Sequence, residues 1–203
     1  RADIGVLMNI TPDHLDRYDY ELQNYVVHRI EAFLKTKGKR IIGWDEILEG
    51  DVSKTAIVMS WRGKSGGIAG AKRGNEVIMV PNDYAYFDYY QAKPVEDEPF
   101  GIGGYVPVEK VYSLDPTEGL TPEEAAKIIG VQANLWAEYI TTFSHAQYML
   151  LPRMAALSEV AWTSQARRDY SGFLNRAKLL TQRYDALGYN FAKHILQEPK
   201  TNE

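Results

Sequence analysis

Apolar side chains along the chain follow two patterns, helical spacing and short continuous runs. Between Leu22 and Leu34 they recur every three or four residues, which predicts a helix over residues 19–37. Asp19 is a residue type that caps helix N-termini, and Gly38 is the type that most often ends them. Short continuous apolar runs instead indicate strands that are covered on both faces.

Four such runs predict strands, with short helical stretches between them. The strands are "RIIGW" (40–44), "TAIVMSW" (55–61), "EVIMVP" (76–81) and "VQANLW" (131–136). Helices are predicted in "GGIAGAKRG" (66–74) and in "TPEEAAKIIG" (121–130), where Pro122 suits a first turn. Strands that alternate with helices in this way predict a parallel sheet.

Two longer helices are predicted to close the chain. "SHAQYMLLPRMAALSEVAWT" places Ser144 and Gln147 in the register of a capping box, and Pro152 is expected to kink this helix. The last helix carries an apolar stripe from Phe173 to Leu187 and is expected to end at Gly188. The tail beyond about residue 195 is polar.

The sheet fits half of a barrel better than a doubly wound nucleotide-binding fold. No glycine-rich turn follows "RIIGW", and no phosphate-binding loop occurs in the chain. A full (β/α)8 barrel needs eight strands and roughly 250 residues. We therefore predict an α/β chain in which residues 1–165 form the C-terminal half of a (β/α)8 TIM barrel, with about four parallel strands. Residues 166–203 would add a helix and a polar tail that pack on it.

Charge and composition exclude several kinds of partner and site. The formal net charge is −4 without a basic block, so neither nucleic acid nor a membrane is an expected partner. The chain has no cysteine and its four histidines are scattered, so we expect no metal site and no cofactor. Because the chain opens on Arg1 without a Met, we expect it to be cut from something longer. A bacterial source would favour a periplasmic, extracellular or cell-surface location.

Aromatic and acidic side chains stand together where each predicted strand ends. Indole rings stack on the C–H faces of sugars, and carboxylates accept hydrogen bonds from sugar hydroxyls. Three of the four tryptophans fall in these stretches. The pattern predicts a carbohydrate site built from Trp44 in "GWDE", Trp61 in "SWRG", Tyr86 and Asp88 in "YAYFDYY", and Trp136 and Glu138 in "NLWAEY".

These stretches, in this order and spacing, resemble the C-terminal half of family-20 glycoside hydrolases, the β-N-acetylhexosaminidases. The other matching segments are "KGKRIIGWDEIL", "GVQANLWAEYI" and "YMLLPRMAALSEVAWT". The resemblance implies that a glycan ending in N-acetylhexosamine is the partner, and that its terminal sugar lies against Trp44, Trp61 and Trp136. Tyr86 would bond the acetamido oxygen, Asp88 and Glu138 would hold ring hydroxyls, and Trp162 would serve in packing.

The adjacent acids Asp45 and Glu46 imitate the catalytic pair of that family. The family uses substrate assistance, in which the 2-acetamido oxygen attacks the anomeric carbon. Its catalytic Asp-Glu pair follows a His-x-Gly-Gly run one strand before "GWDE", and no such run occurs here. The resemblance thus implies no catalytic residue in this chain, with the pair upstream of Arg1. We expect Asp45 to face the helix layer and Glu46 to line or brace the pocket.

Two other readings of the sequence stay open. One is a barrel glycosidase of another family that uses Glu46 with Asp88 or Glu138. The other is a carbohydrate-binding fragment without catalysis, and the isolated chain is expected to be inactive. A half-barrel would also leave two sheet edges unpaired, so the expected protein partner is the missing N-terminal half or a second copy.

Overall fold

The computed structural model describes residues 4–6 and 21–196. These residues form two compact units. The first unit consists of residues up to Pro81 together with Pro116–Gln132, and the second consists of Asn82–Asp115 together with residues from Ala133 onward. The division predicted at residue 165 stays a prediction.

The first unit contains a parallel sheet of five strands. In chain order they are β1 (Ile4–Val6), β2 (Arg40–Trp44), β3 (Ile57–Ser60), β4 (Glu76–Met79) and β5 (Ile128–Val131), and their order in the sheet is the same. Among the described residues β1 and β5 are the two edge strands, so the sheet is open. β1 is one strand more than the sequence predicted, because three residues are too few to show a periodic pattern.

Helices cover this sheet where their small or apolar residues face it. α1 (Glu21–Thr36) brings Val27 into the core formed by β2, β3 and β4, while its predicted cap Asp19 lies outside the described residues. α2 (Ser65–Arg73) approaches β3 and β4 closely because it carries glycines on that side. A Cβ atom on Gly67 would lie only 2.6 Å from the sulfur of Met79, so a larger residue there would displace the Met79 side chain.

The last strand lies earlier than the sequence predicted. β5 covers Ile128–Val131, not residues 131–136, and its register against β4 shifts between Val77 and Ile78. Its apolar run is "IIGV", and pairing with β4 ends where the Gln132 N–H donates to the Met79 carbonyl. Before it, α5 (Pro122–Ala125) has Pro122 in its first turn, as predicted, and is capped reciprocally by the side chains of Thr121 and Glu124.

The second unit is helical. Its helices are α3 (Asn82–Ala85), α4 (Val108–Tyr112), α6 (Phe143–Leu150), α7 (Arg153–Trp162) and α8 (Tyr170–Ala186). The single kinked helix expected around Pro152 was wrong, because Pro152 separates α6 from α7. The prediction that Ser144 caps this helix was also wrong. The capping residue is Thr142, two residues earlier, whose hydroxyl accepts from the His145 N–H.

Two other expectations at the C-terminal end need correction. α8 buries Phe173, Ala177 and Tyr184 and is terminated by Gly188 with φ +69°, as expected, but Leu187 in the predicted apolar stripe is exposed. Trp162 is not a packing residue within the described residues, because 89% of its surface is exposed. It is the last residue of α7 and borders an open groove between α7 and α8, which its ring does not fill.

Two kinds of feature are absent from the part of the chain that the structure describes. None of its helices combines the length and the apolar character needed to cross a membrane. Within the same residues, no three His, Asp or Glu side chains converge in a way that could hold a metal ion.

Candidate functional site

In the first unit, two of the predicted sugar-wall residues stand at neighbouring strand ends. Trp44 is the last residue of β2 and pairs in register with Met59 of β3. Trp61 directly follows β3, and both indoles are half-buried. Parallel neighbours bring their carboxyl ends to the same edge of a sheet, which is why residues 44 to 46 and 61 to 62 meet.

Asp45 accepts hydrogen bonds from Trp61 and Arg62, and Glu46 accepts from Trp61. Asp45 Oδ2 accepts from the backbone N–H groups of Trp61 (2.9 Å) and Arg62 (3.2 Å), and its Oδ1 accepts from Arg62 Nε at 2.5 Å. Both Glu46 carboxylate oxygens lie 3.0 Å from Trp61 Nε1. A Cβ atom on Gly66 would overlap the Asp45 carboxylate, so Asp45 packs against the first turn of α2, the helix side that the sequence favoured.

Arg62 joins these acids into one charged group. Its Nη1 donates to Glu49 Oε1 at 2.8 Å while its Nε serves Asp45. Partial burial by itself lowers the pKa of Arg62, but the hydrogen bonds to Glu49 and Asp45 outweigh it and the net change is upward. The guanidinium therefore stays charged and holds Asp45 in place.

In the second unit, the other four predicted residues lie near one another. The rings of Tyr86 and Trp136 meet edge to face, with centroids 6.3 Å apart. Asp88 is only 5% exposed and lies within electrostatic range of Glu138, whose side chain is exposed. The chain segments that carry them are joined at Asn134, which accepts from the Phe87 N–H (2.7 Å) and donates its own N–H to Ala85 (2.8 Å).

The Asp88 carboxylate combines burial with an incomplete set of hydrogen bonds. Burial raises the pKa of Asp88, and the charge of Glu138 raises it further, against backbone hydrogen bonds from Asp88 and Trp136 and the charge of Arg153. Its Oδ1 is buried and has no hydrogen-bond partner among the described residues. A buried acceptor without a partner costs free energy, so a hydrogen-bond donor from outside the described residues would stabilise it.

Tyr86 is held as a neutral phenol. Burial raises the pKa of Tyr86 to about 12, against smaller opposing effects of hydrogen bonds from Asn134 and Trp136. The hydroxyl therefore keeps its proton at neutral pH and can donate it to an oxygen atom.

The sequence reasoning missed Arg153, which fixes the segment that carries Tyr86 and Asp88. Its side chain is fully buried at the start of α7, and its guanidinium lies 4.7 Å from the centre of the Phe87 ring. It donates to the carbonyls of Phe87 (2.6 Å), Tyr89 (2.9 Å), Val106 (3.0 Å) and, through two nitrogens, Met149. Burial lowers its pKa, while the charges of Asp88 and Glu98 oppose this. The only signal in the sequence was an arginine within the apolar run "LLPRMAAL".

Comparison with known proteins identifies the family. Residues 8–165 match the family described as "Glycosyl hydrolase family 20, catalytic domain". The chain belongs to this family. A β-hexosaminidase of Porphyromonas gingivalis is 42% identical over 183 residues, which cover 89% of this chain and 23% of that protein. A β-N-acetylhexosaminidase of Cellulomonas fimi is 28% identical over 92% of this chain and 38% of its own length.

Solved structures of the same family share the fold. The GH20 exo-β-N-acetylglucosaminidase of Vibrio harveyi in complex with N-acetylglucosamine aligns with a TM-score of 0.76 and 30% identity, over 88% of this chain and 29% of that one. The GH20 β-N-acetylhexosaminidase of Streptomyces coelicolor aligns with a TM-score of 0.80 and 24% identity, over 97% of this chain and 40% of that one. The predicted fold class, part of a TIM barrel, is thereby confirmed, and the chain spans only about a quarter to two-fifths of the relatives it matches.

Proposed function

We propose that this chain is part of a β-N-acetylhexosaminidase, which removes terminal non-reducing N-acetylglucosamine or N-acetylgalactosamine from glycans by substrate-assisted, retaining hydrolysis. The family and the names of the relatives support a glycosidase. The observation that carries the proposal furthest is the buried Asp88 oxygen without a partner, next to a neutral tyrosine and an indole.

Each predicted residue has a role in this proposal. Tyr86 donates to the acetamido oxygen, which must be held for attack on the anomeric carbon. Asp88 and Glu138 accept from ring hydroxyls, and Asp88 Oδ1 gains the hydrogen bond that it lacks. We propose that Trp44, Trp61 and Trp136 each offer an indole face to the terminal sugar. The acid that protonates the leaving oxygen is not among these residues, and we place the family's Asp-Glu pair upstream of Arg1.

Glu46 fits a supporting role better than a catalytic one. Both of its oxygens accept from the Trp61 indole, and Asp45 is bonded to Trp61 and Arg62. A general acid or nucleophile needs an oxygen that reaches the substrate. This disfavours the hypothesis of a different glycosidase family that uses Glu46, and family-20 membership argues against it independently.

For this chain by itself, a second function is sugar binding without hydrolysis. The observation in its favour is the length, since the chain covers 23% of the Porphyromonas gingivalis relative. We expect the isolated chain to leave a chromogenic N-acetylglucosaminide intact. Turnover by residues 1–203 alone would show that the catalytic groups are within this chain.

The test of hydrolysis uses a chimera in which this chain replaces the matching segment of the Porphyromonas gingivalis enzyme. The chimera should cleave a chromogenic β-N-acetylglucosaminide, and proton NMR should show the β-anomer as first product. It should not cleave the matching β-glucoside, because that substrate lacks the acetamido nucleophile. A folded chimera that cleaves both substrates equally would contradict substrate assistance, and one that cleaves neither would contradict the proposed function.

A further inference from the structure

The two acids that follow β2 bond the same tryptophan at two different groups. Glu46 directs both carboxylate oxygens at a single donor, the Trp61 indole N–H, at 3.0 Å each. Asp45 holds the backbone N–H of the same residue at 2.9 Å. Trp61 is therefore bonded at its backbone N–H and at its ring nitrogen by two consecutive residues that follow the neighbouring strand.

The bond to the ring determines its orientation. The indole N–H is the only hydrogen-bond donor of a tryptophan side chain, so a fixed acceptor limits rotation about both side-chain torsions. Glu46 is only 8% exposed, and a carboxylate so removed from water makes stronger hydrogen bonds than a neutral acceptor. Burial of a carboxylate costs desolvation free energy. An indole ring that was held by packing alone would not need such a carboxylate beside it.

The charge of Glu46 is fixed within a larger ionic group. Asp45 and Glu49 both bond Arg62, and the positive charge of Arg62 also acts on Glu46. Glu49 belongs to the same 3-10 turn as Glu46, Asp45–Glu49, but it accepts its hydrogen bond from Arg62 Nη1. The two glutamates of this turn therefore have different partners: Glu46 bonds the indole ring and Glu49 bonds Arg62.

We propose that Glu46 is the positioning residue of Trp61, orienting the indole ring that forms one wall of the sugar pocket. The consequence for catalysis rests on the proposed function, whereas the orientation of the ring does not. A correctly held wall contacts the sugar in the ground state and in the transition state alike. Its loss should therefore raise KM more than it lowers kcat.

The orientation is tested on the chain itself. An NMR spectrum of the chain should show four indole N–H resonances, one for each tryptophan. The resonance that disappears in the Trp61→Phe variant belongs to Trp61. In the unsubstituted chain the Trp61 indole proton should exchange with solvent much more slowly than that of exposed Trp162. Glu46→Gln should shift the Trp61 resonance, while the matched Glu49→Gln should shift it much less. Exchange of the Trp61 proton as fast as that of Trp162 would overturn the proposal without any variant.

The role in the reaction is tested in the chimera with a double-mutant cycle. Glu46→Gln should raise KM roughly three- to tenfold, the range expected when a bond to a charged group is weakened, with kcat within about twofold. In the Trp61→Phe background, which lacks the indole N–H, the same Glu46→Gln change should have almost no effect on KM. Equal effects in both backgrounds would mean that Glu46 acts elsewhere. An inactive chimera would count against the proposed function, while the indole measurements would still decide the role of Glu46.

Discussion

At the scale of single residues, the acids of this chain differ in how completely the protein satisfies them. Asp45 and Glu46 are the most conspicuous pair in the sequence, yet their oxygens are bonded to Trp61 and Arg62. Asp88 attracts less notice but keeps one buried oxygen without a partner among the described residues. Asp88 is the better candidate for contact with a substrate, because a substrate hydroxyl could donate the hydrogen bond that its buried oxygen lacks.

Replacing Asp88 should stabilise the chain while it weakens the site. Burial raises the pKa of Asp88 in the folded state, so the folded chain binds its proton more tightly than the unfolded chain does. Stability therefore falls as pH rises from the unfolded pKa through the folded one. Asp88→Asn should raise the midpoint of urea unfolding at pH 7 and have much less effect near pH 3.

Exposed Asp97, outside the site, provides the matched control for this prediction. Asp97→Asn should change the urea midpoint little at either pH, since an exposed carboxylate is already solvated. The contrary result would be that Asp88→Asn lowers the stability of the chain, and lowers it more at pH 7 than at pH 3. The fold would then favour the charged form of Asp88.

Tyr86 should matter for turnover more than for folding. Its pKa of about 12 keeps the hydroxyl protonated across the working range of pH. Loss of one preorganised donor typically costs on the order of 10²–10³ in turnover. Tyr86→Phe in the chimera should therefore reduce kcat by that order, with a small change in the thermal midpoint. Tyr84→Phe, the same chemical change two residues earlier, should leave kcat within about twofold, and an equally small effect of Tyr86→Phe would remove Tyr86 from the mechanism.

At the scale of elements, the residues around the site are held by helices that follow it in the chain. Arg153 at the start of α7 fixes the carbonyls of Phe87 and Tyr89, on either side of Asp88. Residues 86 to 89 are not part of a regular strand. Among the described residues, their β-type backbone pairing is limited to an isolated bridge between Tyr86 and Asn134. A buried guanidinium supplies five donors in a rigid fork, which suits an irregular set of carbonyls.

Arg153→Lys should destabilise the fold although it keeps the charge. An ammonium group has three donors in place of five, so buried carbonyls lose their partners. We expect a loss of about 3 kcal/mol in the free energy of unfolding, measured by urea denaturation. Arg167→Lys, at an exposed arginine in the 3-10 turn Gln165–Arg167, should change it by less than about 0.5 kcal/mol. Similar small changes in both variants would show that the bonds of Arg153 are replaceable.

Elements with a strong local pattern were predictable, and those set by distant contacts were not. β2, β3 and β4 are continuous apolar runs and lie where the sequence placed them. β5 was misplaced because the strand was predicted at "VQANLW", while the pairing with β4 is made by the preceding "IIGV", which the sequence had assigned to a helical stretch. The candidate site residues were predicted because aromatic and acidic types recur at strand ends, and their role stays a prediction. Arg153 was missed because nothing local in "LLPRMAAL" shows which carbonyls it meets.

At the scale of the whole molecule, the described part of the chain has a sheet with two edges. β3 is buried along its whole length, whereas β5 is not, and Ile129 on β5 is 49% exposed. Edge strands with apolar side chains are templates for pairing with other chains. The relatives are longer by a factor of roughly two and a half to four, which is consistent with further polypeptide that covers these edges.

The chain by itself should therefore associate. We expect light scattering of residues 1–203 to give a mass above the 23.0 kDa of one chain, increasing with concentration, because the edge at β5 offers unpaired N–H and C=O groups. Ile129→Lys places a charge on that edge and should shift the population toward the single chain, while Ile129→Val should not. A particle that stays at 23.0 kDa at all concentrations, with the same mass in both variants, would mean that the edges are already protected within this chain.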